Sequence, residues 1–227
     1  MKFKKLVGIT FLSLSLMFPY FSSASAETSQ VNKEKYYYEN NKTKVTKEIV
    51  QTENGQATFT RKTEANGTVY AELIEKDFTT IIEYDPNTKE LFVNGEKQEF
   101  EIAEVNEQQN TSGDFSIMAV PSGGTYVGAF NYSLNIATLT ASAAAAALST
   151  VTKAPYSGCL AAVSVFIGSA STLYYTIYQY RYPMKCSATP YFNQTKVWTN
   201  SSRSVVSSIV ESGKFFSSQP IPASCTP

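Results

Sequence analysis

Period-two alternation dominates the first half of the chain. In "TVYAELIEK" it places Val69, Ala71 and Leu73 on one face of an extended segment. In "FTTIIEY" it groups Phe78, Thr80, Ile82 and Tyr84, and "ELFV" and "QEFEIAEV" keep the same period. Between these runs fall Asn54-Gly55, Asn66-Gly67, Asp85-Pro86-Asn87 and Asn94-Gly95. Asn-Gly supplies the positive φ values that tight hairpin turns require. The pattern predicts about six short antiparallel strands between Tyr36 and Val105, one face wetter than the other. The tyrosines Tyr36, Tyr37 and Tyr38 open this sheet, either as strand packing or as a sugar-binding platform.

The alternation stops at "NEQQNTSGD", and "PSGG" follows at Pro121 to Gly124. Both are breakers, so residues 106–124 read as an exposed linker open to proteolysis. Beyond it, Asn135 to Gly168 holds one charge, Lys153, in 34 residues. The spacing predicts helices over 133–153 and 157–178, punctuated by Ala154-Pro155. In the first, Asn135, Thr138, Ser142, Ser149 and Thr152 form a hydroxyl-rich stripe. In the second, Leu160, Val163, Ala170, Tyr174 and Ile177 form an apolar one. Three readings stay open for this hairpin: buried core, a hairpin that is soluble when secreted and enters a membrane afterwards, and a constitutive span. Length and missing charge favour a membrane, whereas Ala, Ser and Thr carry too little transfer energy for a fixed span. Small residues permit close helix contact in either setting.

The last third is rich in tyrosine. "LYYTIYQYRYPMKC" presents Tyr174, Tyr175, Tyr178, Tyr180 and Tyr182 beside Arg181 and Lys185, and Trp198 follows. Amphipathic rings next to cations suit an interface between apolar and aqueous phases, so these residues are candidate contacts with a membrane or partner. Residues 190–216 fit either one or two strands or a short helix. The predicted fold class is α+β: an N-terminal antiparallel β-meander, then an Ala-rich helical hairpin and a short Tyr-rich β or mixed tail. The expected domains are an acidic β unit at 27–105 and an apolar, weakly basic unit at 125–227, joined by the linker.

Charge sharpens that division. The chain is neutral overall, with 19 basic and 19 acidic side chains. Residues 27–114 carry 10 Lys and Arg against 18 Asp and Glu, whereas residues 115–227 carry 6 against the single acid Glu211. The basic residues are too few for nucleic-acid binding. Residues 1–26 have the form of a signal peptide: Lys2, Lys4 and Lys5, a short apolar run, and Ala24-Ser25-Ala26 as the cleavage site. The mature chain is therefore expected to be secreted. Histidine is absent, which removes Ser-His-Asp and Cys-His nucleophiles and the commonest zinc ligand. No spacing singles out a catalytic carboxylate pair, so no enzyme, cofactor or metal is expected. Of the cysteines, Cys186 and Cys225 are the favoured disulfide, since both fall outside the helices, and Cys159 reads as a small buried apolar residue.

The layout formed by "ASAETSQ", "NEQQNTSGD", "ASAAAAALSTVTKAP" and "YQYRYPMKC" resembles small secreted toxin-like proteins and large unmodified bacteriocins of Gram-positive bacilli and staphylococci. That resemblance is one of arrangement. It implies antibacterial or membrane-directed activity against a bacterial membrane or cell-surface receptor, with the acidic half keeping the apolar half soluble. The alternative is a non-enzymatic extracellular binding or structural protein whose hairpin is ordinary core.

Overall fold

The computed structural model describes residues 35–39, 43–52, 55–105, 122–185, 188–216 and 225. The linker expected at 106–124 lies outside them except for its last three residues, as does the segment read as a signal peptide. The first sheet has seven strands in sequence order: β1 (Lys35–Glu39), β2 (Thr43–Thr52), β3 (Gly55–Thr63), β4 (Val69–Ile74), β5 (Thr79–Asp85), β6 (Glu90–Val93) and β7 (Glu96–Lys97). The alternation predicted for β4 holds: Val69, Ala71 and Leu73 are buried, and their neighbours are exposed. The turn between β6 and β7 is Asn94-Gly95, with φ of 52° and 81°. Both values lie in the left-handed region that a two-residue hairpin of this type demands.

The second sheet is also an antiparallel meander. Its strands are β8 (Phe100–Glu104), β9 (Thr125–Asn135), β10 (Thr172–Arg181), β11 (Pro190–Trp198) and β12 (Val206–Phe216), and the spatial order is β12-β11-β10-β9-β8. Helices α1 (Ala141–Thr152) and α2 (Tyr156–Ser164) are inserted in the connection from β9 to β10. Helix α1 packs on β4, β5 and β6, while α2 packs on β12 and touches β2. The hairpin is thus a wedge between the two sheets. A single core joins Leu73, Ile82 and Leu91 of the first sheet, Ala144 to Leu148 of α1, and Leu134, Leu173 and Tyr175 of the second.

This architecture overturns the expected fold class. The molecule is mostly β, two antiparallel sheets with two short helices, and not a meander followed by a helical hairpin. The helix expected over 133–153 loses its first turns to β9. The chain turns after Asn135, whose Oδ1 accepts from the Ala137 N–H at 3.0 Å. Thr140 then starts α1, its hydroxyl accepting from the Ala143 N–H at 3.1 Å. The helix expected over 157–178 ends at Ser164 and reverses through Gly168 at φ 78°, and the remainder is β10. "TLYYTIYQYR" is aromatic and β-branched, and strand pairing on both sides outweighs its weak helical periodicity. The tail is two strands, β11 and β12.

Helix α1 has no wet stripe. Eleven of its 12 residues are buried, the hydroxylated ones included. A helix without a charged face is stable in water only when covered on all sides. Thr150 and Thr152 are satisfied locally, donating to the Ala146 and Leu148 carbonyls at 2.7 and 2.8 Å, while Ser142 donates to Glu75 Oε1 at 3.1 Å. The alanine run keeps α1 thin enough to fit between the layers.

Two buried charges of the first sheet close the helical hairpin. Arg61 on β3 donates to the Ser149, Ala154 and Lys153 carbonyls at 2.9, 3.2 and 3.3 Å, at the carboxyl end of α1. Glu48 on β2 accepts from the Tyr156 and Ser157 N–H groups at 2.7 and 2.9 Å, at the amino end of α2. A cation therefore meets the negative end of one helix dipole and an anion the positive end of the next. Pro155 precedes α2 and offers no side-chain cap, so Glu48 supplies it from another layer. Only 4% of Glu48 and 8% of Arg61 are exposed.

Candidate functional site

The inner face of the second sheet is committed to the core, and its outer face carries most of the candidate contact residues. Strand pairing sets that face out in rows. Glu101, Ser133, Tyr174, Trp198 and Val206 form one row across β8 to β12, and Asn131, Thr176, Lys196 and Ile209 form the next. Tyr178 and Gln194 follow, then Tyr126, Tyr180 and Phe192. Alternation along β10 thus gathers Tyr174, Tyr178 and Tyr180 from one strand.

Cations lie on these rings. The Lys196 ammonium is 5.0 Å from the Tyr178 ring centre and 5.9 Å from that of Trp198. The Arg203 guanidinium is 5.5 Å from the Tyr174 ring. Burial lowers the Lys196 pKa and raises that of Tyr178 to about 12. Trp198 Nε1 donates to the Thr176 hydroxyl at 2.8 Å, and Thr176 donates to Asn131 Oδ1 at 2.6 Å. These bonds fix the buried indole beneath Lys196. Arg203 itself has a φ of 53°, an uncommon conformation for a non-glycine residue, and donates to the Tyr132 carbonyl at 3.1 Å.

The expected contact residues divide. Tyr174, Tyr178, Tyr180 and Trp198 share the outer face, where Tyr174 and Tyr178 are partly exposed and Tyr180 and Trp198 are buried. Tyr175 does not: it points into the core, fully buried, and stacks on Tyr132 at 5.0 Å with the planes 3° apart. Its neighbours in sequence mislead because successive strand residues face opposite ways. Arg181 ends β10 and is exposed. Tyr182 lies just past it, with the Lys214 ammonium 4.0 Å from its ring. Lys185 is exposed beyond the sheet, in an isolated bridge with Ala188. Cys225 is disulfide-bonded and Cys159 is a free, buried thiol, while Cys186, the expected partner of Cys225, lies outside the described residues.

No protein-family model, curated protein or solved structure matches the chain. The reading of this face therefore rests on its own chemistry.

At the β8 end of the same face is an open groove of about 790 Å³. Glu99, Glu101, Ser133, Asn135, Thr172 and Tyr174 contribute to its lining. Asn135 donates to Glu99 Oε2 at 2.8 Å and Ser133 to Glu101 Oε2 at 3.2 Å. Of these only Tyr174 was a contact residue expected from the sequence, and Asn135 was expected on a helical stripe instead. The acids read there as part of a solvated strand face, and the partners that orient them are 32 and 36 residues away. Among the described residues there is no group of three or more His, Cys, Asp or Glu side chains placed to hold a metal ion.

Proposed function

We propose that this chain is an exported, non-enzymatic recognition protein that binds an anionic cell-envelope surface through the outer face of its second sheet. The observation that carries this reading is the seating of Lys196 and Arg203 on Tyr178, Trp198 and Tyr174. Rings of this kind supply rigid amphipathic contact area, and the cations add attraction that ionic strength weakens. The hairpin is core and not effector. Its first helix, 12 residues long, spans about 18 Å, against a hydrocarbon layer of about 30 Å. No helix among the described residues is long and apolar enough to cross a membrane.

The test is sedimentation of the whole chain with phosphatidylglycerol vesicles, with neutral vesicles, and with a purified anionic wall polymer. Binding is expected to one or both anionic probes, without dye leakage from the vesicles. The double variant Lys196→Glu, Lys214→Glu should lose roughly tenfold or more in affinity, since each reversal replaces attraction by repulsion. Which probe binds separates a lipid from a polymer target. Equal binding to neutral vesicles, or none to either anionic probe, overturns the proposal.

A further inference from the structure

We infer that the groove between β8 and Tyr174 is a saccharide-binding site. Four of its polar atoms have no partner among the described residues: Glu99 Oε1, Glu101 Oε1, the Thr172 hydroxyl and the Tyr174 hydroxyl. The second oxygen of each carboxylate is already bonded, to Asn135 and to Ser133, so both acids are oriented before a ligand arrives. Lys97 and Gln98 also line the groove, but Lys97 is engaged by Glu90 at 2.6 Å and Gln98 donates to the Glu96 carbonyl at 3.0 Å, which leaves the two carboxylates as its dominant acceptors. Its complement is a molecule dense in hydroxyl donors, and carboxylates accept such bonds more strongly than neutral oxygens do.

Geometry limits the ligand to something ring-sized. Glu99, Asn135 and Thr172 form one row, and Glu101, Ser133 and Tyr174 the next. Adjacent strands lie about 4.8 Å apart and successive same-face rows about 7 Å apart, the scale of one pyranose ring and its substituents. Arg203 pins Tyr174 from beside the groove, and a fixed ring is the surface on which the C–H face of a sugar packs. The volume admits a di- to tetrasaccharide. A nucleotide or other anionic ligand is disfavoured by the paired acids. This inference depends on the contact reading only in sharing its face.

The experiment is calorimetric titration of the whole chain with neutral tetrasaccharides of glucose, galactose, mannose or N-acetylglucosamine. At least one is expected to bind with a Kd below about 10 mM, a weak protein–glycan affinity. Glu99→Gln with Glu101→Gln should weaken that binding roughly tenfold, and Tyr174→Phe by a smaller factor, because each removes acceptors without opening the core. Both acids are exposed, so the variants keep the fold, which circular dichroism checks. Binding by none of the sugars overturns the inference, and so does binding that survives all three substitutions. Vesicle and polymer binding by the Glu99→Gln, Glu101→Gln variant is expected not to fall, since it removes no cation, so the groove and the cationic face fail separately.

Discussion

Replacing Glu48 tests the physical link between the first sheet and the hairpin. Its carboxylate accepts from two backbone donors, Tyr156 and Ser157, at 2.7 and 2.9 Å. Tyr156 is fully buried, so Glu48→Ala strands its N–H where water cannot replace the lost oxygen. An orphaned buried donor costs about 1–3 kcal/mol, and loss of a charge at a helix amino terminus adds about 0.3–1 kcal/mol. Against this stands the relief of carboxylate desolvation, which offsets part of the loss. The expected net destabilisation is about 2 kcal/mol, or a fall in Tm of about 4–8 °C for a chain of this size. Glu48→Gln keeps one acceptor but turns an amide toward an N–H, and should cost about half as much. Urea unfolding of the three proteins measures both values. A loss below about 1 kcal/mol for Glu48→Ala would refute the assigned role, because the lower bound for one stranded buried donor would not be met.

Other consequences follow from the same contacts. Thr140→Ala removes the α1 cap at Ala143 and should cost about 1 kcal/mol in the same assay. Ala146→Leu inserts bulk where no side of the helix is free, and should cost about 1–3 kcal/mol or prevent a single packed state. Burial raises the Cys159 pKa to about 12, so this thiol should resist alkylation at pH 8 in the folded chain and react once urea unfolds it, as read by mass spectrometry. Burial likewise raises Tyr84 and Tyr178 to about 12 and Tyr132, Tyr156 and Tyr175 above their ordinary value. Stability from these groups is full below about pH 9–10 and falls as pH climbs through the raised values, since the unfolded chain then holds fewer protons. An alkaline unfolding transition accompanied by a step in tyrosinate absorbance is expected, and smooth titration of every tyrosine near pH 10 would contradict it.

The first sheet was legible in the sequence because its strands have one dry face and one wet face. Val69, Ala71 and Leu73 alternate with Tyr70, Glu72 and Ile74, and Asn-Gly pairs mark the turns. Strand β10 was not, because both of its faces are apolar. Leu173, Tyr175 and Ile177 enter the core while Tyr174, Tyr178 and Tyr180 face outward, so no period of two survives. The same absence hid which tyrosines act together, and Tyr175 could be separated from Tyr174 only by strand direction. The groove was invisible for a different reason. Its carboxylates become a site only when β8 pairs with β9 and sets Glu101 opposite Ser133. The run from Asn135 to Gly168, with Lys153 its one charge, is explained by the position of α1 and α2 between two sheets, where their buried faces have no room for charge.

The central claim is that this hairpin stays core while the outer sheet face makes contact. Amide hydrogen exchange of the whole chain, with and without phosphatidylglycerol vesicles, tests it most directly. Residues 141–164 are expected to keep their protection when vesicles are added, at the level set by global unfolding, while any added protection falls on β10 and β11. Loss of protection across 141–164 on contact with vesicles would contradict it and show the hairpin leaving the core.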